Sequence, residues 1–142
     1  MKYVVSAILL TLVFAQQGLA QLVVEDGYIR GLPPGQKVTA AFMTLRNPGA
    51  QDVILTSASS PVAEKLEFHQ HSHEGGMMRM REVEQLLVPA AGELRLSPGN
   101  LHLMLFGLRQ VLREGDTVAL ELCAADAACQ TIELPVVSVL NE

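Results

Sequence analysis

After its first twenty residues the chain alternates apolar and polar side chains in short runs, most of them separated by Gly, Pro, Asn or Ser. A period of two marks a half-buried β-strand, because successive strand side chains point to opposite faces. The pattern predicts strands over Leu22–Arg30, Lys37–Arg46, Asp52–Ala58, Lys65–His71 and Met77–Val83. It predicts four more over Glu93–Leu96, Leu101–Phe106, Thr117–Cys123 and Gln130–Val139. Turns fall at Gly31–Gly35, Asn47–Gly49, Gly75-Gly76 and Ser97–Asn100. No stretch of this region keeps a helical period, and Leu105–Leu112 offers one short helical turn at most. About nine short strands with regular turn signals imply an all-β, antiparallel sandwich or barrel in a single domain.

The first segment breaks the pattern. Lys2 precedes a largely apolar run over Val4–Ala15, and Gly18 and Ala20 occupy the −3 and −1 positions of a small-residue cleavage site. Residues 1–20 therefore read as a signal peptide and 21–142 as the mature domain. The run is shorter than the roughly 20 residues a spanning helix needs, so no stable membrane insertion is expected. With no Cys just after the cleavage point, a lipid anchor is not expected either. An oxidising destination follows, and the periplasm fits best.

Composition narrows the partners. The 142 residues suit one domain that buries enough surface to fold without a staple. The formal charge is −5 with scattered basic residues, which argues against nucleic acid and anionic membrane. Two Cys exclude a four-thiolate zinc site and an iron–sulfur cluster.

The remaining chemistry lies in 4 His and 6 Met. In a strand over Leu101–Leu105 the leucines share one face, while His102 and Met104 share the other. Leu66 and Phe68 likewise oppose Glu67, His69 and His71, and Met78 pairs in phase with Met80. Three strands thus carry His or Met away from their best apolar face. Neutral thioethers with imidazoles suit Cu(I), and are poor donors for Mg, Ca or Mn. Zinc prefers thiolate, imidazole and carboxylate. The bland alternative is solvated His, with Met77, Met78 and Met80 capping a core beside a Gly-Gly turn and His71 and His73 as loop residues. On pattern alone the two readings stand level.

His69, ten residues, Met80, twenty-one residues, then His102-x-Met104 resembles the signature of the periplasmic copper chaperones called PCuAC. The stretches Ala41–Asn47, Met77–Met80, Leu96–Gly99, His102–Leu108 and Arg113–Val118 resemble that family too. The resemblance implies a cupredoxin-like (immunoglobulin-like) β-sandwich that binds one Cu(I) through His69, Met80, His102 and Met104. It further implies delivery to a copper-accepting respiratory oxidase subunit or assembly factor, through transient complexes of a monomer. The His- and Met-rich C-terminal extension of some members is not matched, so no second site from a tail is expected. His71 and His73 instead crowd the first ligand, with Cu(II) as their natural guest, although simple loop histidines are the commoner case.

Cys123 and Cys129 flank a five-residue connection between two strand-like runs. At the base of a hairpin in an exported protein, a disulfide is the default pairing. A redox dithiol or thiolate copper ligands are the alternative, although nothing nearby lowers a thiol pKa. Blue-copper electron transfer needs His and Met soon after the Cys, and residues 130–142 contain neither.

An enzyme is the second function class. Glu67 and Glu82 are nominees for a general base, but four protein donors leave no open metal position for water or substrate. An interaction module with incidental His and Met is the third, and a copper-storage or tolerance protein is a variant of the first.

Overall fold

Alternation organises the burial of the long strands in the computed structural model, which describes residues 22–141. The expected signal peptide lies outside that range. In chain order the strands are β1 (Val23–Gly31), β2 (Val38–Arg46), β3 (Val53–Ser59), β4 (Ala63–Glu74) and β5 (Met77–Val83). They continue with β6 (Leu86–Val88), β7 (Glu93–Leu96), β8 (Leu101–Leu108), β9 (Thr117–Ala124) and β10 (Cys129–Ser138). A single 3-10 turn at Val139–Asn141 is the only helical element among the described residues, so none is long and apolar enough to cross a membrane. On β10 the buried Ile132, Leu134 and Val136 alternate with exposed Thr131, Glu133 and Pro135. On β9 Val118, Leu120 and Leu122 repeat the scheme.

The hydrogen-bonded order is β5-β4-β8-β2-β1-β10-β9-β3-β6, with β7 also paired to β2. Both halves of this path contribute to one contiguous apolar cluster, which includes Leu103 and Leu105 of β8 together with Leu120, Leu134 and Val88. The open sheet, with β5 and β6 at its ends, therefore folds over one core as a sandwich. Burying each large aliphatic chain supplies about 1.5–3 kcal/mol, which makes this cluster the main stabilising element.

The pairing is antiparallel with one exception, β1 against β10, where Ile29 pairs with Val136. Parallel neighbours need a long connection, and here the rest of the domain is that connection. β6 has no counterpart among the predicted strands. Leu-Leu-Val is too short to show alternation, and only its pairing with β3 makes it a strand. β4 also extends past His71 to Glu74, because β5 keeps it paired beyond the end of its apolar pattern. His71 and His73 are thus strand residues, not loop residues.

Candidate metal centre

β5, β4 and β8 are consecutive in the sheet, and they are the three strands that carry His and Met off the core face. Leu66 and Phe68 of β4 enter the core, which turns Glu67, His69, His71 and His73 outward. The hairpin into β5 turns through Gly75 and Gly76, with φ of 59° and 76°. Two positive φ values in a two-residue loop cost least for glycine. This tight turn fixes the register, with His73 opposite Met78, His71 opposite Met80 and His69 opposite Glu82. A slip of one residue would carry both thioethers to the other face.

On its other edge β4 pairs with β8. His69 stands opposite His102, and Glu67 opposite Met104. β2 continues the same face, with Ala40 opposite Met104. Phe42 lies 6.2 Å from His102 between ring centroids, and Arg30 covers the Phe42 ring at 5.0 Å. A cavity of about 250 Å³ opens here, lined by Met80, His102, Met104, His71, Phe42 and Arg30 among others. His69 stands beside it, its ring 6.1 Å from that of His102 and 5.7 Å from Phe106. All four donors expected from the sequence thus lie on one face of three adjoining strands, where Met80, His102 and Met104 line the cavity with His71 and His69 stands beside it.

Hydrogen bonds place the protons on these rings. His102 Nδ1 lies 2.8 Å from the Asn100 carbonyl oxygen. A carbonyl only accepts, so Nδ1–H donates and the neutral ring keeps its lone pair on Nε2. His69 Nε2 lies 2.7 Å from Glu67 Oε2. A carboxylate also only accepts, so the neutral His69 ring carries its lone pair on Nδ1. That Nδ1 is buried with no hydrogen-bond partner, and so is Nδ1 of His71. Such orphaned nitrogens are rare in folded interiors and are relieved when a Lewis acid takes the lone pair.

The charges nearby support this arrangement. Glu67 accepts from Lys65 at 2.6 Å and from His69 at 2.7 Å. Lys65 first, and His69 second, hold its carboxyl below the usual carboxylate range. Burial pushes the His102 imidazole below its ordinary value, partly opposed by the bond to Asn100 and reinforced by His71, His69 and Arg30. A low proton affinity leaves this ring free to ligate near neutral pH. Exposure is graded across the donors, from His102 at 2% to Met80 at 47%. The set is neutral and soft, which suits a soft cation of low charge.

Glu67 and Glu82, the nominees for a general base, sit in different surroundings. Glu67 has both oxygens engaged, and Glu82 is exposed on the edge strand. Sequence reasoning missed the Asn100 carbonyl, which a backbone atom gives no residue-type signal for. It also missed the aromatic wall of Tyr28, Phe42 and Phe106, whose apolar residues read as ordinary core. Cys123 and Cys129 are cross-strand partners joined by a disulfide, their Cα atoms 4.1 Å apart.

The family model described as "Putative lipoprotein LpqE-like" matches residues 22–136. The chain belongs to this family. It is the same family as PCuAC, which the structural neighbours represent. The protein described as "Putative lipoprotein Lxx21020" of Leifsonia xyli subsp. xyli is 32% identical over 103 residues. That match covers 72% of this chain, which spans only 62% of the Leifsonia protein. The solved Cu(I) form of DR1885 from Deinococcus radiodurans is 34% identical, with a TM-score of 0.67 over 89% of this chain and 87% of that one. The apo PCuAC domain of PmoF1 aligns with a TM-score of 0.68 at 18% identity, over 82% of this chain and 93% of that domain. The PCuAC sandwich is cupredoxin-like, and this chain shares it.

Proposed function

We propose that this chain is a copper metallochaperone of an exported compartment, the periplasm. It binds one Cu(I) through His69, Met80, His102 and Met104 and passes the ion on by ligand exchange. The observation that most supports this reading is the proton placement. Glu67 and Asn100 fix the two imidazoles with lone pairs on His69 Nδ1 and His102 Nε2. The former is buried without another use. The apolar leader and the lipoprotein description of the family support export, and the Cu(I) form of DR1885 supports the choice of ion.

Graded exposure suggests the order of exchange. Met80 sits on the edge strand, where an acceptor's thioether or imidazole can replace it first. His102 is the most enclosed donor and lets go last. The acceptor is an oxidase copper centre or its assembly factor, met through a shallow and transient contact.

The test is a Cu(I) titration against a competing chromophoric chelator. Wild type should take up one equivalent, and His102→Ala should lose at least a hundredfold in affinity. Uptake that persists after all four donors are changed would overturn the assignment. Mixing the loaded protein with an apo oxidase copper domain tests delivery, and retention of the ion would favour storage instead.

A further inference from the structure

His71 is unused in the four-donor set, yet its surroundings are those of a ligand. It follows His69 on the same face of β4 and stands directly opposite Met80. Its ring stacks on His102 with centroids 5.0 Å apart, nearer than the 6.1 Å of His69. His71, not His69, lines the cavity shared by Met80, His102 and Met104. Its Nδ1 is buried and makes no hydrogen bond, so burial has removed water and supplied nothing in exchange. His73, one step further out, is exposed opposite Met78 and lines no part of the cavity.

We propose that His71 is a further copper donor, the third imidazole of this centre, and that it equips the chain to hold Cu(II) as well as Cu(I) in one place. The proposal rests on the copper reading above. Thioethers bind Cu(II) weakly, whereas imidazoles suit it well. With two imidazoles and two thioethers the pocket favours the monovalent ion. With His71 and His102 lining the opening and His69 beside it on the same strand as His71, three imidazoles lie within reach of one ion. No electron transfer is required, since the ion keeps the oxidation state in which it arrives.

The folded protein is loaded with Cu(II) from a glycine complex and examined by pulsed EPR. Wild type should show three coupled imidazoles. His71→Ala and the bulkier His71→Gln should each remove one coupling and lower Cu(II) affinity at least tenfold, while His73→Ala changes neither. Two or fewer imidazoles in wild type, or unchanged Cu(II) affinity in both His71 variants, would overturn the proposal. The wild-type spectrum does not depend on how well any variant folds. Cu(I) uptake by wild type and His102→Ala separates the two readings. Wild type that takes up no Cu(I) sinks the chaperone assignment. Normal Cu(I) behaviour with Cu(II) spectra indifferent to His71 sinks this one alone.

Discussion

His69 and His102 are direct partners across the β4–β8 ladder, their ring centroids 6.1 Å apart, yet they are held by opposite ring nitrogens. Glu67 holds His69 at Nε2, and the Asn100 carbonyl holds His102 at Nδ1. The free lone pairs therefore sit on Nδ1 of one ring and Nε2 of the other. A carboxylate behind a metal-binding imidazole fixes both its tautomer and its orientation.

Glu67→Ala should therefore weaken Cu(I) binding by roughly 10- to 100-fold while every proposed donor remains in place. Chelator competition gives the affinity, and nitrogen NMR of the His69 ring should show its proton no longer confined to Nε2. Unchanged affinity and tautomer would remove Glu67 from the site.

The thioethers should separate binding from folding. Met→Leu nearly conserves volume and usually costs less than about 1.5 kcal/mol. Met80→Leu and Met104→Leu should each reduce Cu(I) affinity at least tenfold and leave the apo melting temperature almost unchanged. Met78→Leu, on the same face of β5 but opposite His73, should alter neither.

Acid should destabilise the apo protein through His102. Burial lowers its pKa from the ordinary value of 6.5. Just below 6.5 the unfolded chain binds a proton there that the folded chain does not, so stability rises with pH in this window. The contribution is complete above 6.5 and is lost as pH falls toward the depressed folded value. Melting between pH 7.5 and 5.5 should drop more steeply for wild type than for His102→Leu, and equal slopes would contradict the assignment.

The disulfide should matter for stability and not for the metal. It closes a short hairpin between β9 and β10, and no residue of either strand lines the cavity. Replacing Cys123 and Cys129 together by Ser should cost about 2 kcal/mol by chain-entropy reasoning. Cu(I) affinity should stay within twofold, and a tenfold loss would tie the hairpin to the site.

Much of this was legible in the chain. Alternation placed β5 and β7 at their observed bounds and most other strands within a few residues. Leu66 and Phe68 fixed which face of β4 is dry, and so which face carries His69. β6 escaped because three residues cannot display a period, and the far end of β4 escaped because its partner, not its own pattern, keeps it extended.

The same division holds at the centre. His and Met of the right softness, in the right phase on three separate strands, are properties of the sequence, because strand geometry alone assigns faces. Their meeting is not, since it depends on β5, β4 and β8 lying side by side, a matter of pairing between distant segments. Nor does the sequence choose which nitrogen of each ring carries the proton. Glu67 and the Asn100 carbonyl decide that, by approaching as acceptors from opposite sides once the sheet has formed. The chain specified the proposed donors; the fold decided which lone pairs remain free, and it placed His71 against His102.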